Sequence, residues 1–149
     1  QIACGSPLPV KGRVFVSVRD SHKREIVPIA RDFAAMGFEI IATGGTHTFL
    51  TGAGIPSVRV NKVREGSPHV LEEMAQGRVA LVFNTTVGAA SVKDSFSLRR
   101  EALQRGIAYY TTIAAADAAS RAIARVSAGA LEVKPLQAHL AARGPQDAL

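Results

Sequence analysis

Short apolar runs alternate along the chain with longer segments in which apolar and polar positions follow a helical period. Five runs of four to six residues are rich in β-branched and aromatic side chains, as buried strands are: residues 13–18, 38–43, 57–60, 79–84 and 107–110. Between the first two runs, Ile26, Ile29 and Phe33 recur at helical spacing. This alternation predicts parallel βαβ units, and hence an α/β fold with a five-stranded parallel sheet and helices on both faces.

Capping residues and prolines predict where the helices begin and end. Gly37 has the position of a C-terminal cap for the first helix, and Pro28 within that helix predicts a late start or a kink. The other helices are expected to run from about Thr46 to Gly52, from Pro68 to near Gly77, from Asp94 or Ser95 to about Arg105 and from Thr112 to Arg125, with another around residues 134–143.

The 149 residues are enough for one ordinary domain. We expect that domain to cover residues 13–143. A linker or tail with two prolines and two glycines would precede it at residues 1–12, and a short C-terminal tail would follow at residues 144–149. Residues 1–5 include no initiator methionine and lack the layout of a signal peptide, which suggests a piece of a longer chain.

The formal net charge of +6 raises the question of a nucleic-acid partner. The basic residues are scattered, their longest cluster is Arg99–Arg100, and no tryptophan is present for base stacking, so we predict no nucleic-acid partner. A modest positive field would instead attract phosphorylated metabolites or an acidic neighbouring domain. No apolar run approaches the roughly 20 residues of a membrane span, so no membrane contact is predicted.

Cysteine and histidine usage limits the possible chemistry. Cys4 is the only cysteine, which excludes an intrachain disulfide and a cysteine-based zinc site and fits a reducing, cytoplasmic location. The four histidines are spread along the chain and none pairs with another at metal-ligand spacing, so no metal site is predicted. No Ser-His-Asp or Cys-His arrangement is present to argue from, and no catalytic residue is assigned.

In an open parallel sheet the ligand lies outside the carboxyl ends of the strands. After the second predicted strand, Thr43, Gly44, Gly45 and Thr46 combine two hydroxyls, two glycines and the free amides of a helix N-terminus. Such a group suits a phosphate or a carboxylate. A plain turn with an N-capping threonine explains the same four residues, and for an isolated short motif it is the commoner case.

Other strand ends carry polar and basic residues. Asn84, Thr85 and Thr86 end the fourth run, where turn chemistry is the alternative to ligand binding. Lys23 falls in the first turn of a predicted helix, where the dipole disfavours a cation unless an anion is nearby, and Lys62 follows the third strand. For both lysines a solvated surface position is the ordinary alternative. Together these groups predict anion binding without evident chemistry, because no carboxylate pair for acid–base work accompanies them.

The strand-end residues belong to a longer ordered set. In chain order it comprises Ser17-Val18-Arg19-Asp20, Lys23, Ala42-Thr43-Gly44-Gly45-Thr46, Val60-Asn61-Lys62-Val63, Glu65-Gly66-Ser67-Pro68-His69, Asn84-Thr85-Thr86, Asp94-Ser95, Arg99-Arg100 and Tyr109-Tyr110-Thr111-Thr112. From about residue 11 to residue 140 the chain resembles the C-terminal, methylglyoxal-synthase-like domain of the carbamoyl-phosphate synthase large subunit. The resemblance implies an allosteric domain of an ATP-dependent, glutamine-hydrolysing ligase that serves pyrimidine and arginine biosynthesis.

The resemblance also implies residue roles and partners. UMP or IMP would be the effector, with its phosphate held by Lys23, Thr43, Gly44, Gly45, Thr46 and Lys62, and its ribose and base lined by Ser17, Asn84, Thr85, Thr86, Asp94 and Ser95. Tyr109 and Thr111 resemble residues that supply part of an ornithine site. The partners would be the remaining domains of the large subunit and the small glutaminase subunit. The fragment itself would need no cofactor, whereas the parent enzyme would bind ATP with Mg or Mn.

The nearest enzymatic alternative is methylglyoxal synthase, which shares the fold and a phosphate site and acts on dihydroxyacetone phosphate. Its catalytic carboxylate lies in a Gly-Gly-Asp segment after the third strand, and residues 61–68 contain no such Asp. The cyclohydrolase domain of purine biosynthesis is similar in its opening segments, but its lysine-rich stretch is absent here. One branch of the regulatory family responds to N-acetylglutamate and has an aromatic residue where Lys62 stands, so Lys62 favours the nucleotide-responsive branch.

Overall fold

The computed structural model of the chain describes residues 8–85 and 89–129. Its strands are β1 (Arg13–Ser17), β2 (Glu39–Ala42), β3 (Val58–Arg59), β4 (Val79–Asn84) and β5 (Ala108–Tyr110). They form one sheet in the order β3-β2-β1-β4-β5, and every neighbouring pair is parallel. The prediction of a five-stranded parallel sheet is confirmed.

The α-helices of the described residues are α1 (Lys23–Ala35), α2 (Gly44–Gly52), α3 (Val70–Ala75), α4 (Ala89–Arg105) and α5 (Ile113–Ser127). Three of them, α1, α2 and α5, pack on one face of the sheet, where Leu50 and Ile123 are fully buried. The other two, α3 and α4, pack on the opposite face through Met74 and Leu98. Helices therefore cover both faces, as predicted. Within the described ranges, no helix is both long enough and apolar enough to cross a bilayer.

The first helix starts earlier than Pro28 suggests. α1 begins at Lys23 and contains Pro28 at its sixth position, so the expectation of a late start is wrong. A proline there costs about 3 kcal/mol because its ring crowds a carbonyl of the preceding turn. Burial of Ile26, Ile29 and Phe33 offsets that cost, since each large apolar side chain contributes roughly 1.5–3 kcal/mol.

The second and third helices also start at other residues than predicted. α2 begins at Gly44, with the extended residue Thr43 before it, rather than near Thr46. α3 begins at Val70 rather than at Pro68, because the Glu72 carboxylate accepts the backbone N–H of His69 at 2.8 Å and fixes the first turn there.

The fourth helix begins at Ala89, so Asp94 and Ser95 lie inside it and do not cap it. Their side chains instead make tertiary contacts with Arg64 and Asn84. Residues that commonly cap helices are thus used here to join α4 to neighbouring elements. The helix predicted around residues 134–143 falls outside the described residues.

Strand alternation directs the polar strand ends to one face of the sheet. Successive side chains of a strand point to opposite faces. The Ser17 side chain therefore points to the same face of the sheet as Phe15, and the Asn84 side chain to the same face as Val82. This is the face that α3 and α4 cover. The carboxyl edge of the central strands consequently presents hydroxyl and amide groups above an apolar core.

Candidate functional site

The strand order reverses between β1 and β4. The chain runs from β1 outward to β2 and β3, and then returns to place β4 on the other side of β1. Ser17 and Asn84 end these two strands, are register partners, and are each only 4% exposed. A reversal of this kind leaves a crevice at the carboxyl ends of the strands, which is where doubly wound sheets bind ligands.

The first turn of α2 is fixed to this crevice by two buried threonines. The Thr43 hydroxyl donates to Ser17 Oγ at 3.1 Å, and the backbone N–H of Val18 donates to Thr46 Oγ1 at 3.2 Å. Both threonines are buried, and the first turn of α2 contains no acidic residue. The free amides at this helix end, with the positive end of the helix dipole, are therefore held in place next to β1.

Lys23 reaches this turn from the start of α1. A Cβ atom placed on Gly45 would lie 3.3 Å from Lys23 Nζ, so the ammonium lies directly beside the glycine backbone. Lys23 Nζ also lies 2.7 Å from Asp20 Oδ1. The hydrogen bond from Lys23 lowers the pKa of the Asp20 carboxyl below its ordinary value. Lys23 and Gly45, two of the predicted phosphate residues, thus lie next to each other.

A second cation lies beside the preceding residue of the same turn. Arg59 ends β3, and its Nη2 atom is 3.5 Å from the position that a Cβ of Gly44 would take. The sequence analysis missed Arg59, because it assigned residues 57–60 to a strand and looked for functional groups after that strand. No local sequence signal marks Arg59, because only its parallel pairing with Ala42, the residue just before Thr43, brings it to this turn.

A pocket on the α4 side of the crevice collects most of the other predicted residues. Its cavity is about 20 Å³, room for about one water molecule, and its lining residues are Phe15, Ser17, Lys62, Val63, Val70, Asn84, Asp94, Ser95 and Leu98. Asn84 Nδ2 donates to Ser95 Oγ at 3.1 Å and to Tyr109 Oη at 2.8 Å. The pocket therefore has an apolar floor and a polar wall whose side chains position one another.

The mouth of this pocket is bordered by charged groups. Arg64 Nε donates to Asp94 Oδ1 at 3.2 Å and joins the short 3-10 helix Val63–Glu65 to α4. The Glu65 carboxylate accepts the backbone N–H of Lys62 at 2.9 Å, while the Lys62 side chain is exposed. Lys62 is thereby placed at the entrance, and its ammonium forms no ion pair with another described residue.

The predicted phosphate residues do not all line one cavity. Lys62 lines the α4-side pocket, whereas Lys23 and Gly45 line an open groove beside α2. The hydrogen bond between Thr43 and Ser17 connects the two places, since Ser17 lines the pocket and Thr43 precedes α2.

The remaining predicted residues surround these two places. Thr85 is buried and its hydroxyl accepts the backbone N–H of Arg19 at 3.4 Å, while His22 Nδ1 lies 3.0 Å from the same oxygen. Tyr109 contacts Asn84 and so adjoins the predicted ribose and base group, and Thr111 is exposed. Thr86 lies outside the described residues.

The chain is similar in sequence to a known domain family and to known proteins. A family model described as an MGS-like domain matches residues 25–111. The chain is 48% identical over 137 residues to a carbamoyl phosphate synthase large chain of Brucella suis, which covers 92% of this chain and 12% of that protein. It is 45% identical over 140 residues to the corresponding protein of Myxococcus xanthus, covering 94% of this chain and 13% of that protein.

A solved structure described as ForH has the same fold. It superposes with a TM-score of 0.56 at 19% identity, covering 81% of this chain and 83% of that one.

This chain spans about an eighth of the length of the synthase large chains that it matches.

Proposed function

Because this chain belongs to the MGS-like domain family, we propose that it is the regulatory domain of a carbamoyl phosphate synthase large chain and that it binds a nucleoside monophosphate such as UMP or IMP. The observation that carries the proposal is the carboxyl edge of the sheet. There the first turn of α2 contains no acidic residue and has Lys23 and Arg59 beside it. This turn adjoins a pocket lined by hydroxyl and amide side chains. A phosphate and a nucleoside need these two kinds of environment side by side.

The phosphate would lie at the first turn of α2. Backbone amides there donate to phosphate oxygens, and the Lys23 ammonium beside Gly45 adds a charge-assisted contact. Thr43 and Thr46 would turn their hydroxyls to the same oxygens, at the cost of their present bonds to β1. Lys62 would approach from the pocket entrance, so that the phosphate bridges the groove beside α2 and the α4-side pocket.

The ribose and base would lie over the mouth of the α4-side pocket and against its lining side chains, because its cavity of about 20 Å³ admits only a water-sized group. Asn84 already donates to Ser95 and Tyr109 and so holds the polar wall in place, while Asp94 and Ser95 offer acceptors for ribose hydroxyls or ring N–H groups. Because Asn84 is already oriented by Ser95 and Tyr109, little side-chain ordering would remain to be done on binding.

Regulation would act on the rest of the large chain. Effector binding changes activity elsewhere only if the effector has different affinities for two states of the whole enzyme. The other domains would bind ATP with Mg or Mn, a small glutaminase subunit would supply ammonia, and the complex would work in the cytoplasm. This domain would itself be non-catalytic and would need no cofactor.

Calorimetric titration tests the proposal directly. UMP or IMP should bind the chain, and Lys62→Ala should weaken binding by about tenfold or more, since a charge-assisted contact contributes roughly 1.5–3 kcal/mol. Lys11→Ala is the matched control, because Lys11 is exposed and precedes β1 at the opposite edge of the sheet. Equal affinities in the two variants would reject the role of Lys62.

Parallel titrations separate the proposal from its competitors. N-acetylglutamate and ornithine should bind more weakly than the nucleotides. Dihydroxyacetone phosphate should yield no methylglyoxal, and detectable turnover would replace the regulatory proposal with the synthase. Absence of binding by both UMP and IMP would reject a nucleotide effector.

A further inference from the structure

Arg59 lies where the ligand phosphate is proposed to bind, although its position within a strand gave no such indication. β3 pairs in parallel with β2, and the register sets Arg59 opposite Ala42. The chain turns into α2 two residues after Ala42, so the Arg59 guanidinium lies against Gly44. Its Nη2, Cζ and Nε atoms are 3.5–3.6 Å from the place of a Gly44 Cβ. The guanidinium is thus packed along the first residue of α2.

Two cations border the first turn of α2. Arg59 flanks Gly44 and Lys23 flanks Gly45, so both lie near the positive end of the α2 dipole. Lys23 is partly neutralised by Asp20. Arg59 is exposed and forms no ion pair with a carboxylate of the described residues, and α2 has no acidic residue in its first turn. A bound anion would offset the like charges at this turn, and an anion with two charges would offset them more than one with a single charge.

We propose that Arg59 is a specificity-determining residue that makes this site select a dianionic phosphate monoester over a monoanionic diester or a carboxylate. The inference deepens the proposed function and rests on it for the position of the phosphate. A guanidinium donates two parallel N–H bonds to two oxygens of one phosphate, which a lysine ammonium cannot do. With Lys23 on the opposite side, the terminal oxygens would be held between two cations and the helix amides.

The test compares Arg59→Gln with Arg31→Gln, which removes the same charge from an exposed position about 12 Å further along α1 from Lys23. Each variant is titrated calorimetrically at pH 7.5 with inorganic phosphate, UMP, the methyl ester of UMP and uridine. Circular dichroism and thermal unfolding confirm that both variants fold. The wild type should prefer UMP over its methyl ester. Arg59→Gln should lower the affinity for UMP by about tenfold and remove most of that preference, whereas Arg31→Gln should behave like the wild type.

The outcomes separate this inference from the proposed function. If the wild type binds UMP and the two variants bind it equally well, Arg59 has no role and only the inference fails. If phosphate and UMP bind equally well and both depend on Arg59, the inference holds and the nucleotide function fails. A wild type that binds neither phosphate nor UMP overturns both.

Discussion

Gly45→Ala should raise the stability of the fold and yet weaken anion binding. Gly45 is the second residue of α2 and has no positive φ, so alanine fits its backbone conformation. Replacing glycine by alanine inside a helix contributes about 0.5–1 kcal/mol, and the first turn should give the lower part of that range. The midpoint of thermal unfolding should rise by no more than about 2–4 °C.

The cost of the new methyl group falls on Lys23. The added Cβ would lie 3.3 Å from Lys23 Nζ, so the ammonium must retreat by a few tenths of an ångström. Its bond to the exposed Asp20 carboxylate is a surface ion pair that solvent screens, so this movement costs little stability. A ligand phosphate would instead meet Lys23 at a lengthened contact and lose part of the roughly 1.5–3 kcal/mol of a charge-assisted bond, which corresponds to at most about tenfold in affinity.

Gly52→Ala supplies the matched control. Gly52 is the last residue of α2, and no atom lies within 4 Å of the place of its Cβ, so the new methyl group displaces no cation. Thermal unfolding and calorimetric titration with UMP should be measured for both variants. The reasoning is refuted if Gly45→Ala loses no more affinity than Gly52→Ala, because displacement of Lys23 would then have no consequence for the ligand.

Two further predictions concern stability. Phe33→Ala should lower the free energy of unfolding by about 3–5 kcal/mol in urea titrations, because Phe33 is fully buried, whereas Phe96→Ala should change it by less than about 0.5 kcal/mol, since Phe96 is 68% exposed. Similar losses for both would contradict the packing of α1. Glu72→Gln should make the free energy of unfolding fall less steeply as the pH is lowered into the acid range. The backbone N–H of His69 lowers the pKa of Glu72, so its contribution is present above the unfolded pKa and is lost as the pH falls through the folded pKa. An unchanged acid limb would contradict this role of Glu72.

The strands could be predicted because their sequence signal is local. The fourth run was predicted at residues 79–84 and forms β4 over Val79–Asn84, since a strand buried on both faces is apolar throughout. The third run was predicted at residues 57–60 but pairs only at Val58 and Arg59. β3 is an edge strand with a partner on one side, so its length depends on β2 rather than on its own residues.

Helix starts were less predictable because the same side chains serve two purposes. Asp94 and Ser95 have the chemistry of N-caps, yet they lie within α4 and bond to Arg64 and Asn84. Nothing local distinguishes a serine that caps its own helix from one that meets another strand. That choice depends on which partner is near after the chain has folded.

The sequence by itself determined the fold class and the chemical character of the candidate site, because hydrophobic period and strand-end residue types are local properties. The tertiary structure decided which of those residues meet. It put Lys23 and Lys62 at different places around the crevice, joined Tyr109 to Asn84, and brought Arg59 to Gly44. These contacts follow from the order and register of the strands. Long-range packing sets that order and register, and no short stretch of residues encodes them.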